Sequence, residues 1–293
     1  MIGPNNMHKL CLLLLCLWEV AGAVTLVDER KVSVVIDKPP MRIITLLPSL
    51  AETVCELGAC SRLVGTDNYA DWPESVKALP KLGGLYDASV EAIFRLKPDL
   101  VLAGKSTRII GRLESLGIKV VALEPQSLED VERGMHTIAK VLQLPQPDAA
   151  ADRLWQQAMQ AIDQSAKKIP LDSQGVSFYF EASTGGYAAG EVSFIGGVMQ
   201  RLGLRNIVGV SMGAFPQINP EFVVRASPHW LFLAEPTAVA LHKRPGWSAM
   251  SAVKSGHVCA FSASQGNMLV RPGPRIGEAA EVLVTCLQKA SAL

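Results

Sequence analysis

The sequence predicts an α/β protein of two similar α/β lobes bridged by one long rigid helix, with a crevice between the lobes. Three observations predict it. Apolar runs of strand length alternate with amphipathic stretches along most of the chain. A pattern centred on Glu91 recurs around Glu221. A long helical segment without glycine and with no proline beyond its first turn lies between the two copies.

Taken in order, residues 1–9 are mildly basic, residues 10–20 are almost wholly apolar, and Ala21-Gly22-Ala23 has the small-x-small form that signal peptidases cut. Residues 1–23 therefore read as a cleaved secretory signal. The apolar run is well short of the roughly 20 residues that span a bilayer. Leu15 stands before Cys16, where lipoprotein processing wants a small residue. A soluble exported product is expected.

Residues 24–145 form the N-terminal α/β lobe, with strand runs at 43–47, 63–65, 100–103 and 119–123 separated by helical patterns and by proline or glycine. Residues 146–169 form the bridging helix, in which Leu154, Met159 and Ile162 recur at helical spacing and Pro170 ends the pattern. The C-terminal α/β lobe takes residues 170–293, with strands at 176–180, 230–233 and 258–261 and a closing helix at 276–290.

Residues 89–102 lie over residues 219–232 without a gap, with Glu91, Arg95 and Pro98 matching Glu221, Arg225 and Pro228. Each copy reads as a cap, a short helix with an acidic first turn, a proline stop and a buried strand. The spacing far exceeds a solenoid period, so it implies two lobes rather than an array. Equivalent carboxylates, one per lobe, could engage two basic groups on a two-fold partner. Each could equally be a first-turn acid stabilising its helix by roughly 0.3 to 1 kcal/mol.

A chain that is 49% hydrophobic and 19% charged, with a net charge of +1, is globular and carries no electrostatic footprint for nucleic acid. Of the six cysteines, Cys11 and Cys16 leave with the signal. Cys259 and Cys286 could pair if their strand and helix pack together, while Cys55 and Cys60 are more awkwardly spaced; small-residue packing competes for all four. Histidines and cysteines are too scattered for a protein-held metal.

Gly209-Val210-Ser211-Met212-Gly213 satisfies the pattern of a hydrolase nucleophile elbow, and His229, His242 or His257 could complete a triad. The elbow requires a helix straight after the serine, whereas Pro216 and Pro220 interrupt one, so a glycine-bearing loop and no catalytic residue is the preferred reading. Tyr69, Tyr86, Tyr187 and Phe215 follow loop signals and are candidate crevice walls for a flat or bulky ligand, against partial core packing. Arg271 and Arg275 could bind an anion or belong to a solvated helix start.

With these motifs in place, residues 42–50, 63–73, 91–103, 116–123, 221–233 and 271–280 together resemble the metal-chelate class of periplasmic binding proteins, and the vitamin B12 binders most. The resemblance implies a monomeric receptor that hands cobalamin, haem or a ferric siderophore to the permease dimer of an ABC importer, with no cofactor of its own. It places transporter docking on Glu91 and Glu221, and a cleft tyrosine on Tyr69. The tryptophan walls of the cobalamin binders fall near Leu85 or Tyr86 and on Phe215, and their cleft aspartate near Asn267. A corrinoid needs only shape, stacking and amide hydrogen bonds, whereas haem usually wants a Tyr or His on its iron.

Overall fold

The computed structural model describes residues 22–183 and 185–290; most of the signal segment expected at 1–23 lies outside the described residues. The chain opens with a hairpin of strands β1 (Val24–Val27) and β2 (Ser33–Ile36). There follow β3 (Ile43–Thr45), α1 (Pro48–Glu56), β4 (Leu63–Thr66), α2 (Val90–Arg95), β5 (Leu100–Ala103), α3 (Ile110–Ser115) and β6 (Val120–Ala122). The four strands β3 to β6 form a parallel sheet in the order β4-β3-β5-β6.

Alternation along these strands divides the first lobe into two cores, because successive side chains leave opposite faces of a sheet. Ile43, Leu100, Leu102 and Val121 pack beneath Leu50, Ala51 and Val54 of α1. Ile44, Val101, Val120 and Ala122 pack on the other face against Ile93 of α2 and Leu113 of α3. Helices on both faces explain why the strand runs are apolar throughout rather than alternating.

Beyond β6 come α4 (Leu128–Val141), α5 (Pro147–Ala166), β7 (Ser177–Ser183), β8 (Tyr187–Ala188), α6 (Phe194–Arg201) and β9 (Arg205–Asn206). The second half ends with α7 (Pro220–Ala226), β10 (Trp230–Ala234), α8 (Glu235–Val239), α9 (Ser251–Lys254), β11 (Val258–Phe261), α10 (Ala263–Leu269) and α11 (Ile276–Ala290). Its parallel strands run β9-β7-β10-β11, the same order of succession as in the first lobe, and β8 adds an antiparallel edge to β7.

The internal repeat is visible in the backbone. Ser89 caps α2 by accepting from the Ala92 amide, and Asn219 caps α7 by accepting from the Glu221 amide. After each helix one residue turns left-handed, Lys97 at φ 48° and Ser227 at φ 42°. A proline then leads into β5 or β10.

Two helices, α4 and α5, lie between the two sheets in sequence. The long segment at 146–169 is α5, but its buried face of Ala151, Leu154, Ala158 and Ile162 lies wholly within the C-terminal core. The element shared between lobes is α4: Val131, Met135 and Ala139 pack into the C-terminal core, while Ile138 and Val141 pack into the N-terminal one. Leu57 and Leu144 touch both. The reason is geometric, since residues four apart share a helix face and the neighbouring row presents a second face. Ser127 and Asp130 form a reciprocal capping box that starts α4.

Two disulfides are present. Cys259 of β11 joins Cys286 of α11. Cys55 and Cys60, judged awkward by spacing, also pair, because the chain turns sharply through Gly58 at φ 79° just after α1.

Candidate functional site

In open parallel sheets, ligands settle beyond the carboxyl ends of the strands where the order of succession reverses. In the first lobe the chain passes from β3 to β4 on one side and then to β5 on the other, so the reversal lies between β3 and β5. Beside it, beyond the carboxyl ends of β3 and β4, a concavity of about 230 Å³ opens, walled by Leu46, Leu47, Asp67, Tyr69, Leu85 and Tyr86. Gly104, just past β5, must be small: a Cβ there would stand 3.0 Å from the Leu47 and Leu85 side chains. In the second lobe the reversal lies between β7 and β10. A concavity of about 380 Å³ opens beyond their ends, walled among others by Glu181, Ser183, Glu235, Ser262, Asn267 and Val270.

Tyr69 and Tyr86 stand 69% and 67% exposed in the first concavity, which is unusual for large aromatic side chains. Two bonds hold the Tyr69 backbone in place. Its amide donates to Asp67 Oδ1 at 2.7 Å, and its carbonyl accepts from Arg271 Nη2 at 2.9 Å. Arg108 stands over the Tyr86 ring at 4.9 Å.

Arg271 is not available to an anionic ligand. It is buried, and its Nη1 donates to Glu52 Oε1 at 2.8 Å and to Asp71 Oδ1 at 2.6 Å. Its location explains the difference from expectation: the preceding Val270 walls the C-terminal concavity, while the guanidinium reaches across to the Tyr69 carbonyl of the N-terminal one. Arg271 thus fastens one half of the crevice to the other. Arg275 lies over the Trp72 ring and pairs with Glu278.

The remaining candidates separate. Asn267 lies in the C-terminal wall. Tyr187 sits in β8, half exposed, beside the end of β7 rather than in either concavity. Phe215 packs on Phe194 at 5.8 Å between ring centres, at the edge of the C-terminal core. Glu91 and Glu221 are both exposed on the first turns of α2 and α7, and Glu91 makes a long 3.8 Å contact with Arg95.

Ser211 lies in a single tight turn, Val210–Met212, that ends at Gly213 with φ 90°, so no helix follows it. His229 Nδ1 pairs with Ser177 Oγ, and His257 stacks on Trp230. The local geometry is a loop, not the strand-serine-helix elbow. Among the described residues no group of three or more His, Cys, Asp or Glu could hold a metal ion. Among them too, no helix is long and apolar enough to cross a membrane.

Several polar residues of the walls were not singled out by sequence. Asp67 is buried, its Oδ2 has no hydrogen-bond partner among the described residues, and burial pushes its carboxyl up to about 6. Burial likewise raises Glu52, outweighing its bond to Arg271. Asp71 goes the other way: it is less buried, and the same guanidinium holds it below the usual carboxylate range. In the C-terminal wall Glu181 accepts both Arg244 donors, at 2.6 and 2.9 Å, and Arg244 rests over Trp247. An acid closing the apolar run of β7 was the signal that could have pointed to Glu181.

The family model described as periplasmic binding protein matches residues 43–263. A relative from Bacillus subtilis, named an uncharacterized ABC transporter substrate-binding lipoprotein YvrC, is 29% identical over 89% of this chain and 84% of its own. The vitamin B12-binding protein of Vibrio cholerae is 26% identical over 85% of this chain and 90% of its own. Among solved structures, the periplasmic vitamin B12 binding protein BtuF of Vibrio cholerae superposes with a TM-score of 0.70 at 25% identity, covering 87% of this chain and 99% of its own. The periplasmic heme-binding protein BhuT, in complex with two hemes, gives a TM-score of 0.70 at 26% identity, covering 85% and 98%.

Proposed function

This chain belongs to the periplasmic binding protein family, and on that footing we propose that it is the substrate-binding component of an ABC importer, capturing a metal chelate between its lobes. A corrinoid is the first choice of chelate. The observation that carries this reading is the pair of concavities beyond the carboxyl ends of the parallel strands, one in each lobe, one of them bearing two exposed tyrosine faces. Such faces suit a broad, flat ligand that brings its own metal ligands, since stacking and hydrogen bonding are then all the protein must supply. The vitamin B12-binding relative supports the same choice.

Glu91 and Glu221 are the proposed contacts to the two permease subunits. They occupy equivalent, exposed first turns of repeated helices, and exposed carboxylates at matched positions are suited to a two-fold basic partner. The protein acts as a soluble monomer in the periplasm on this reading, with the segment at 1–23 removed. It performs no catalytic step.

The second choice of chelate is haem or a ferric siderophore. Tyr69 and Tyr86 present phenol oxygens that could reach an iron, and the likeness to the heme-binding BhuT points the same way. An absorption spectrum of the protein from its native compartment, followed by titration calorimetry with cyanocobalamin, decides between them. A corrinoid spectrum and stoichiometric binding are expected; an iron-porphyrin spectrum with no cyanocobalamin binding would transfer the assignment to haem.

A further inference from the structure

The two halves of the crevice have a charge pattern that narrows the ligand. Neither wall contains a lysine, arginine or histidine among the described residues, yet together they hold four carboxylates: Asp67 and Asp87 in the N-terminal half, Glu181 and Glu235 in the C-terminal half. The nearest guanidiniums are already committed. Arg271 is bound to Glu52 and Asp71, and Arg244 is bound bidentately to Glu181. Arg108, stacked on Tyr86, is the exception, since it has no carboxylate partner among the described residues.

With Glu181 neutralised by Arg244, the carboxylates left unpaired on the walls are Asp87 and Glu235, both exposed and one from each lobe, against the single guanidinium of Arg108 beside Tyr86. Asp87 spends Oδ1 on the Gly84 amide at 2.7 Å and keeps its second oxygen free of partners among the described residues. Asp67 supports the pattern from below, with a buried oxygen that lacks a donor. An anionic group brought between these walls loses its water and meets more carboxylates than cations, whereas a neutral amide or an ammonium finds acceptors.

We infer that the crevice selects its chelate by charge, admitting a neutral or cationic ligand rich in hydrogen-bond donors and holding off anionic ones, with Asp87 and Glu235 as the selecting groups. The inference rests on the receptor reading above and deepens it.

Equilibrium dialysis at low ionic strength tests it with three probes: cyanocobalamin, neutral overall; ferrioxamine B, a cation; and haemin, which carries two carboxylates. Wild type is expected to bind at least one of the first two more tightly than haemin. The double variant Asp87→Asn with Glu235→Gln, both near-isosteric changes at exposed positions, is expected to raise the ratio of haemin to cyanocobalamin or ferrioxamine affinity roughly fivefold, the scale of removing two exposed like charges. High salt should narrow the same ratio in wild type and leave it nearly unchanged in the variant. Tightest binding of haemin by wild type, an unmoved ratio in the double variant, or loss of haemin binding in Arg108→Ala would each overturn the charge filter while leaving a receptor in place. Binding of none of the three probes would sink the receptor reading and the filter with it.

Discussion

The two lobes share one order of strands but are built from different side chains. The N-terminal sheet is aliphatic at its centre, with Ile43, Ile44, Leu100, Val101, Leu102 and Val120 buried. At the corresponding strands the C-terminal sheet buries Phe178, Tyr179, Phe180, Trp230, Phe232 and Phe261, four of whose rings surround Phe232, stacked, tilted or edge-on. The difference teaches that strand order and helix caps can be kept while the interior is repacked, because a core needs matched volume and apolar character more than particular residues. The walls diverge in step with the cores. Exposed tyrosines mark the N-terminal half, and small polar side chains such as Ser183, Ser262 and Asn267 mark the C-terminal half.

The sharpest way to break this comparison is to remove the ring at the centre of the aromatic sheet. Phe232→Ala should cost about 3–5 kcal/mol, against about 0.5–1.5 for Ile44→Val in the aliphatic sheet. Denaturant titration of both variants checks the two losses, and a loss for Phe232→Ala no larger than for Ile44→Val would mean that the aromatic sheet collapses onto the vacated ring. The disulfides offer a second contrast. The bridge from Cys259 to Cys286 closes a span of 27 residues and that from Cys55 to Cys60 a span of 5. Chain entropy then predicts losses of about 3–4 and about 2 kcal/mol when each is replaced by a pair of serines.

Asp67 gives a smaller, pH-dependent difference with no counterpart in the other lobe. Its carboxyl titrates near 6 when folded, above the value near 4 of an unfolded chain, so the folded state holds the extra proton between those limits. Stability from this group is therefore full below about pH 4 and lost as pH rises through 6. Comparing urea midpoints at pH 4.5 and 7, Asp67→Asn should abolish a fall on the order of 2 kcal/mol that wild type shows. An unchanged pH slope would place the titration elsewhere. The smallest effect is expected at Glu91 and Glu221. Replacing either by alanine should shift stability by less than about 1 kcal/mol, the worth of a first-turn acid, while replacing both drops the transporter's ATP hydrolysis to its unstimulated level if they dock the permease.

Much of this architecture was legible because it is local. Caps at Ser89 and Asn219, proline stops at Pro98 and Pro228, and strand runs buried on both faces are written within a few residues of each other, so the repeat could be read directly. Which of the two helices between the lobes feeds both cores was not legible, because length draws attention to α5. Gly134 makes α4 look weaker than α5, although only α4 feeds both cores. Arg271 was misread for the opposite reason, since its partner Glu52 lies 219 residues away and nothing near Arg271 hints at it. Tyr69 and Tyr86 were readable from the glycine and strand-end punctuation around them. The Glu181 to Arg244 pair spans 63 residues and was not.

That long separation between Glu52 and Arg271 bears on how the molecule is assembled. Glu52 belongs to α1, the first helix among the described residues, and is nearly inaccessible to water in the folded protein, yet its counter-ion is synthesised 219 residues later. Until then a closed first lobe would hold an uncompensated carboxylate, which favours either a protonated or a loosely packed α1. The packing of α1 is thus finished by a residue that leaves the ribosome long after it.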